Sequence, residues 1–260
     1  MIIHPGLSCL RCEACLTGWE SLCPRYQILG EHTNGTAAQW VKVPAGNAFL
    51  APSGVSLKEA ASVALAFTTA WQMVVRRAAV APGDTVLVHA AASGVSSAAI
   101  QIAKLYGARV IVTAGSSKKL ELAKRLGADE GINYQTEDFA SRAKALNEGK
   151  GVDVILDHVG ITTWEKNFKA VKWGGKIILC GASSGYAASV DLRQVFYRQI
   201  QILGSTMGTK GDFGKILKHL ASGALKPVID ATYPLVDISK AFTRMESQDV
   251  MGKILIELPN

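Results

Sequence analysis

The sequence contains no segment that is long and apolar enough to cross a bilayer as a helix. Its longest uncharged apolar run, residues 60–75, is too short and carries four polar residues, so it predicts a buried helix. The first five residues lack the charged segment and the long apolar segment of a secretory signal. Low-complexity segments and internal repeats are also absent. We therefore expect a cytoplasmic protein that has no membrane partner.

Acidic residues are outnumbered, because 21 aspartates and glutamates stand against 28 lysines and arginines, a net charge of +7. Such an excess favours an anionic partner, for example nucleic acid or a phosphorylated cofactor, or only a lysine-rich surface. The basic residues are scattered, and the densest pairs, Lys118–Lys119 and Lys124–Arg125, fall on one predicted helix. We therefore expect no nucleic-acid partner. Hydrophobic residues make up 48% of the chain, which is enough for a sizeable core.

Four of the five cysteines lie within the first 25 residues, at Cys9, Cys12, Cys15 and Cys23. Four thiolates at such close spacing suit one tetrahedral zinc ion, and a complete set of four leaves no open position for a substrate. The spacing therefore predicts a structural zinc site. An iron–sulfur cluster is an alternative, because a proline follows the last cysteine. Disulfides are a second alternative, but they are disfavoured in a cytoplasmic chain.

The segment Thr85–Ser96 predicts the start of a dinucleotide-binding unit. A β-branched apolar run is followed by small residues and then by a helical pattern. A helix N-terminus attracts phosphate, and small residues let the backbone approach it closely. The turn departs from the usual G-x-G-x-x-G, because residues 91–96 read AASGVS. A Cβ at a position that needs positive φ costs about 1 kcal/mol, so a degenerate turn that binds poorly is the alternative.

Apolar runs and helical patterns alternate from residue 85 to residue 203, which predicts an α/β fold with a doubly wound, six-stranded parallel sheet. The predicted strands are 85–89, 109–113, 131–134, 152–156, 176–180 and 200–203, and the predicted helices are 95–106, 118–126, 139–146, 163–171 and 192–198. After Gly208 the pattern changes to helix 213–221, strand 228–233, helix 238–245 and strand 253–258. This tail is predicted to belong to another domain.

The segment ahead of residue 85 is less regular. A short strand is predicted at Gln39–Val43. Ser56 and Glu59 form a candidate capping box for a helix over 60–79, which is either continuous or broken near Phe67–Thr69.

Together these parts resemble the medium-chain dehydrogenase/reductase superfamily, which includes zinc-containing alcohol dehydrogenases and quinone oxidoreductases. The motifs that carry the resemblance are the four-cysteine lobe, AVAPGDTVLVHAAASGV, LGAD at Leu126–Asp129, DVILDHVG at Asp153–Gly160 and GGKIILCG at Gly174–Gly181. The resemblance implies a Rossmann domain with remnants of a GroES-like, β-rich catalytic domain at both ends. Residues 1–52 would be a partial catalytic domain with the zinc lobe, 53–206 the NAD(P)-binding domain, and 207–260 the return to the catalytic domain.

The sequence departs from the pattern of this family at two points. The chain starts late, so the first part of the catalytic domain is expected to be missing, and an exposed apolar patch and poor solubility should follow. The third ligand of a catalytic zinc would fall at about Leu65, and leucine cannot bind zinc. The parent enzyme is therefore expected to resemble the branch without catalytic zinc, and no catalytic residue is assigned.

Cofactor residues follow from the matching motif positions. The implied set is Thr69, Ala91, Ser93, Gly94, Val95, Ser96, Ser116, Lys118, Lys119, His158, Val159, Gly160, Gly181, Ala182 and Ser205. The acid that would bond the ribose 2′-hydroxyl is replaced by Ala114, and Ser116, Lys118 or Lys119 are available for a 2′-phosphate. NADP(H) is therefore favoured over NAD(H). The alternative is that the two lysines only lie on a solvent-exposed helix start and that the protein does not discriminate between the cofactors.

The expected function is hydride transfer between this cofactor and a small-molecule carbonyl, alcohol or activated alkene, as in quinone and enoyl reductases. A zinc-dependent alcohol dehydrogenase and an inactive nucleotide-binding fragment are the alternatives. A homodimer or homotetramer is expected for the full-length parent, by family analogy with pairing near Ile200–Leu203. His158 is more readily a wall of the cofactor site than a general acid, and Cys180 is expected to be a buried apolar residue.

Overall fold

The computed structural model describes residues 1–258. Its elements are, in chain order, β1 (Ile2–Ile3), β2 (Gly6–Leu7), α1 (Glu13–Leu16), β3 (Gln27–Ile28), β4 (Ala48–Phe49), α2 (Leu57–Val63), α3 (Ala66–Trp71), a π-helix (Gln72–Arg77), β5 (Thr85–Val88), α4 (Gly94–Leu105), β6 (Arg109–Ala114), α5 (Ser117–Arg125), β7 (Glu130–Asn133), α6 (Phe139–Leu146), β8 (Val152–Asp157), α7 (Ile161–Ala170), β9 (Val171–Leu179), α8 (Leu192–Arg198), β10 (Gln201–Gly204), α9 (Lys210–Ala221), β11 (Ile229–Pro234), α10 (Ile238–Glu246) and β12 (Lys253–Glu257).

Contacts divide the chain into two units. The first unit comprises Met1–Trp71, Ser93–Val95 and the chain from Thr206 onward, and the second comprises Gln72–Ala92 and Ser96–Ser205. The first unit extends to Trp71 because α3 packs against α9 and α2 packs against β12. The three domain segments expected from the sequence stay a prediction, and the last two residues of the third segment lie outside the described residues.

The second unit is built on one six-stranded sheet in the order β10-β9-β8-β5-β6-β7, and every neighbouring pair is parallel. The chain runs from β5 outward to β7 and then returns to β8 and runs outward to β10, so the order reverses beside β5. In such sheets ligands bind at the carboxyl ends of the strands near this reversal. The predicted doubly wound α/β fold is confirmed. Its core is apolar, and Leu87, Ile111, Ile155 and Ile177 are fully buried.

The first unit consists of short pairs rather than one sheet. β1 pairs antiparallel with β4, β2 pairs antiparallel with β3, and β11 pairs parallel with β12. His4, Phe49 and Phe213 pack together, with the two phenylalanine ring centroids 5.0 Å apart in an edge-to-face arrangement. The Asn47 side-chain amide donates 2.7 Å hydrogen bonds to the carbonyls of His4 and Gly6, which ties β4 to the start of the chain.

Two expectations for the region before residue 85 are corrected or refined. The predicted strand at Gln39–Val43 is wrong, because this segment has no strand partner in the described chain and the Trp40 side chain is 91% exposed. A strand needs a neighbour to satisfy its backbone groups. The capping box of Ser56 and Glu59 is confirmed. The following helix is broken, but at residues 64–65 rather than near Phe67.

No helix within residues 1–258 has both the length and the apolar character that crossing a bilayer requires.

Candidate functional site

A network of buried polar side chains lies beneath the carboxyl ends of β5, β6 and β8. The Asp157 carboxylate is fully buried and accepts hydrogen bonds of 2.6 Å from the Thr163 hydroxyl and from the Asn167 amide. Because the Asn167 amide nitrogen donates to Asp157, its oxygen accepts from His89 Nε2 at 2.8 Å. His89 Nδ1 must then accept from the Thr113 hydroxyl at 3.0 Å.

This bonding pattern fits a neutral imidazole that carries its proton on Nε2. Burial lowers its pKa, and the nearby Asp157 opposes that shift only in part. Each polar group of the network therefore has a hydrogen-bond partner, and the Asp157 carboxylate is satisfied by neutral donors. The network is a rigid support for the loops that follow the strands.

Asp157 also fixes the loop that contains three predicted cofactor residues. Its second carboxylate oxygen accepts from the backbone N–H groups of Val159 at 2.6 Å and Gly160 at 3.2 Å. Gly160 has φ +95°, and a Cβ there would lie 2.5 Å from the Gly185 carbonyl oxygen. Only glycine fits at this position.

The predicted residues Gly181 and Ala182 are brought beside this loop. The Ser183 N–H donates to the His158 carbonyl at 3.2 Å, and a Cβ on Gly181 would lie 3.3 Å from the same oxygen. Both Gly181 and Ala182 are exposed. The loops after β8 and β9 thus form one wall at the carboxyl edge of the sheet.

The Ser96 hydroxyl is hydrogen-bonded within the protein. The side chain is 1% exposed, and its hydroxyl donates to the His89 carbonyl at 2.6 Å. The same oxygen therefore accepts from His158 Nε2 at 3.0 Å, and burial lowers the pKa of His158. Ser96 joins β5 to the loop after β8, whereas its predicted contact with a cofactor stays a prediction.

The turn before α4 concentrates its backbone strain at one residue. Ala90 has φ 50°, whereas Ala91, Ser93, Gly94 and Val95 avoid the left-handed region. The cost of about 1 kcal/mol expected for a glycine-poor turn therefore applies once. Ala91 is fully buried, and its N–H donates to the Thr113 carbonyl at 2.9 Å.

The end of β6 carries no acid. Ala114 is its last residue, Ser116 stands just before α5, and Lys118 is exposed while Lys119 is partly buried. Sequence reasoning missed Tyr134, whose hydroxyl lies over Gly115, so that a Cβ there would come within 2.7 Å of it. A tyrosine after β7 gives no local signal, because only the parallel pairing of β6 and β7 brings it to Gly115.

Two other predicted cofactor residues lie at the ends of their elements. Ser205 follows β10, and within residues 1–258 its buried hydroxyl has no hydrogen-bond partner. A buried hydroxyl without a partner is costly, so this group fits a site that a bound molecule completes. Thr69, in the first unit, is buried and its hydroxyl lies 3.7 Å from the Met207 sulfur.

The four predicted cysteine ligands come together in the first unit. Their sulfur atoms all lie within 4.8 Å of one another, with Cys9 and Cys15 3.9 Å apart and Cys12 and Cys15 3.5 Å apart. A tetrahedron with zinc–sulfur bonds of about 2.3 Å has edges of about 3.8 Å, so the arrangement fits zinc. The Cys23 sulfur accepts from the backbone N–H groups of Cys9 and Arg25, both at 3.4 Å.

The electrostatics of this cluster favour the thiolate form at Cys9 and at Cys23, whereas burial and the neighbouring thiols raise the pKa of Cys12 to about 11. Hydrogen bonds from backbone N–H groups and from the Arg25 side chain lower the pKa of Cys9 to about 5. Cys180, the fifth cysteine, behaves differently, because burial raises its pKa to about 12. It is a poor nucleophile and a poor metal ligand.

Comparisons with known proteins agree with these features. The family model described as zinc-binding dehydrogenase matches residues 94–222. Quinone oxidoreductase-like protein 2 of Rattus norvegicus is 32% identical over 80% of this chain, which spans 62% of that protein. The crystal structure of an NAD-dependent alcohol dehydrogenase superposes on this chain with a TM-score of 0.95 and 50% sequence identity. The match covers 99% of this chain and 75% of the alcohol dehydrogenase chain.

A third relative carries a different chemistry. This relative is the 2-octenoyl-CoA carboxylase reductase CinF, whose structure was determined in complex with NADP and 2-octenoyl-CoA. It superposes with a TM-score of 0.92 and 27% sequence identity, and the match covers 98% of this chain and 62% of the CinF chain. The parallel sheet, the cysteine lobe and these relatives together lead to one assignment. The chain belongs to the medium-chain dehydrogenase/reductase superfamily.

Proposed function

We propose that the parent enzyme transfers hydride between a nicotinamide dinucleotide and a small-molecule carbonyl, alcohol or activated alkene. The observation that carries this proposal is the carboxyl edge of the parallel sheet, where the loops with Gly160 and Gly181 and the Ser205 hydroxyl, which has no hydrogen-bond partner within residues 1–258, follow three neighbouring strands. The bound cofactor supplies the hydride chemistry. This chain's own residues bind and orient it, and the His89–Asp157 network holds their loops in place.

Isothermal titration calorimetry with NADH and NADPH tests the binding step on this chain. We expect one dinucleotide to bind per chain. Activity assays with an aldehyde, a quinone and an enoyl thioester then measure turnover. If neither dinucleotide binds, the proposal is wrong. If a dinucleotide binds but no substrate class is reduced, the chain is the nucleotide-binding fragment that the sequence left open.

We propose that the cofactor is NADP(H) rather than NAD(H). The support is the alanine in place of an acid at the end of β6, together with Ser116, Lys118 and Lys119 at the start of α5. The relative that is 50% identical is named NAD-dependent, which supports the opposite choice, whereas the CinF structure contains NADP. The double variant Lys118→Glu/Lys119→Glu separates the two. It should weaken NADPH binding by at least about tenfold and leave NADH unchanged, and an equal loss would reject this assignment.

We propose that Cys9, Cys12, Cys15 and Cys23 hold one structural zinc and that the parent has no catalytic zinc. Within residues 1–258 these cysteines are the group of ligand side chains that lie close enough together for a metal. Elemental analysis should find one zinc per chain. Two zinc atoms in the full-length parent would favour the zinc-dependent alcohol dehydrogenase instead.

We also propose that the parent is a cytoplasmic homodimer or homotetramer. The support is β10, an edge strand of the sheet, beside which Trp173, Phe196 and Tyr197 are each more than half exposed. Unpaired strand edges and exposed aromatic residues are features of association surfaces. Sedimentation velocity of this chain and of Phe196→Glu should show a dimer and a monomer, respectively, and a monomer for both would contradict the proposal.

A further inference from the structure

A lysine at the start of α9 reaches the residue that precedes the first cysteine ligand. The Lys210 ammonium donates a 3.1 Å hydrogen bond to the Ser8 hydroxyl. The backbone N–H of the next residue, Cys9, donates to the Cys23 sulfur at 3.4 Å. The lysine therefore contacts the loop that supplies both a ligand and a hydrogen bond to the cluster, although it lies 202 positions after Ser8 in the sequence.

Packing of α9 fixes where this lysine lies. The Phe213 ring, one turn after Lys210, is fully buried and packs edge-to-face on Phe49, with ring centroids 5.0 Å apart. The Thr209 side chain caps the helix by accepting from the Asp212 N–H at 3.1 Å. The start of α9 is therefore held in place by contacts that do not involve the ammonium.

A cation at this position is unfavourable unless negative charge lies nearby. Lys210 is the first residue of a 12-residue helix, and the positive end of the helix dipole repels a cation. Its side chain is also half-buried, and the Ser8 hydroxyl that it contacts carries no charge. Burial lowers the pKa of Lys210, and the negative charges of Glu20, Cys15 and Cys23 oppose this shift. The cysteine cluster therefore supplies part of the negative charge around the ammonium.

The cluster needs cations close to it once it holds a metal. One zinc ion and four thiolates leave two net negative charges. The Arg25 side chain, which hydrogen-bonds to the Cys9 sulfur, supplies one positive charge from within the lobe. Lys210 supplies a second one from α9. Groups outside the ligand set commonly tune the affinity of a metal site in this way.

We propose that Lys210 is a charge-compensating residue of the zinc site and that it stabilises the thiolate ligands from α9. The inference deepens the proposed structural zinc and rests on it. The role is one of positioning, because the lysine acts on the metal through Ser8 and the ligands. The C-terminal segment would then contribute to zinc affinity although residues 206–260 contain no cysteine.

The test is competition for zinc between the full chain and a chromophoric chelator, for the wild type and three variants of Lys210. Loss of a group that supports metal ligands costs about tenfold to a hundredfold in metal affinity. Lys210→Met and Lys210→Gln should both weaken zinc binding by this factor, because glutamine can keep the hydrogen bond to Ser8 but has no charge. Lys210→Arg keeps the charge and should stay within about threefold of the wild type.

The matched control is Lys218→Met. It removes an exposed lysine that lies about two turns further along the same helix. Its zinc affinity should equal that of the wild type.

A spectroscopic measurement separates charge compensation from mere support of the fold. Co²⁺ bound by four thiolates has a sulfur-to-metal charge-transfer band, and a nearby positive charge lowers the energy of the sulfur electrons. Loss of this charge in Lys210→Gln should therefore move the band to longer wavelength, and Lys218→Met should leave it in place. If Lys210→Met fails to fold, Lys210→Gln still provides both measurements, since it keeps the contact with Ser8.

The outcomes separate this inference from the proposed zinc site. A wild type that binds no zinc contradicts the proposed structural zinc. A wild type that binds one zinc, with equal affinity in Lys210→Gln, overturns the role of Lys210 and leaves the proposed zinc site intact. A loss in Lys210→Arg as large as in Lys210→Gln, or a cobalt band that does not move, also overturns it, because charge would then not be the determinant.

Discussion

The buried polar network of the second unit and the cysteine cluster of the first unit differ in whether their polar groups find partners within the protein. In the network, Asp157, Asn167, His89 and Thr113 each meet a partner of the opposite hydrogen-bonding type. In the cluster, four sulfur atoms share one small space, and their pKa values are driven apart, to about 5 for Cys9 and about 11 for Cys12. The network is complete as folded, whereas the cluster is arranged for an additional component.

Removing one ligand of the cluster should have the largest effect. Cys12→Ser should abolish stoichiometric zinc and lower the free energy of unfolding by on the order of 5 kcal/mol, because metal binding and folding of the lobe are coupled. Zinc content and chemical denaturation measure both. Cys180→Ser is the matched control and should keep its zinc. If Cys12→Ser retains one zinc per chain, the cluster is not its site.

Neutralising the carboxylate of the network should come next. Asp157→Asn turns one acceptor oxygen into a donor that faces the donors of Thr163 and Asn167, so we expect a loss of about 3 kcal/mol in urea denaturation. The exchange Asp157→Asn/Asn167→Asp restores a matching donor and acceptor and should recover at least about 1 kcal/mol. A double variant as unstable as the sum of the two single changes would show that the network does not act as a unit.

The core of the first unit should show a smaller effect, which depends on pH. Burial lowers the pKa of His4 from about 6.5 to about 4, so the unfolded chain takes up the proton first. The stability from keeping His4 neutral is complete above pH 6.5 and is lost as the pH falls from 6.5 to 4, by about 3 kcal/mol in total and by much less at pH 6.

His4→Asn isolates this effect from the other titrating groups. The asparagine oxygen can accept the bond that the Gly6 N–H donates to His4 Nδ1, and it does not titrate. The stability difference between wild type and this variant should therefore shrink between pH 7 and pH 4. A difference that is constant over this range would contradict the assignment.

The smallest effect is expected at the turn before α4. Ala90→Gly removes the steric cost of φ 50°, but it also adds freedom to the unfolded chain. The net gain in unfolding free energy should be about 0.5 kcal/mol, and Ala91→Gly, at a position outside the left-handed region, should instead be destabilising. If both changes lower stability equally, Ala90 is not strained.

Much of the second unit was predictable because its strands are buried on both faces. Continuous apolar runs such as Val152–Leu156 identify such strands without knowledge of their neighbours, and all six predicted strands are present. β9 starts at Val171 rather than at residue 176, because Val171 pairs with Val152 ahead of the apolar run. The predicted strand at Gln39–Val43 was wrong, because weak alternation cannot reveal whether a partner strand exists.

The sequence by itself determined the parallel sheet, the four-cysteine lobe and the loops of the predicted cofactor site, because local patterns of apolar, glycine and cysteine residues encode them. Only the tertiary structure decided which side chains meet. It directed the Ser96 hydroxyl to the His89 carbonyl, brought the Tyr134 hydroxyl over Gly115, and laid Lys253 across Gly94, 159 positions earlier in the sequence. The physical reason is that such contacts depend on strand pairing and on positive-φ glycines such as Gly252, and a sequence pattern records neither partner nor distance.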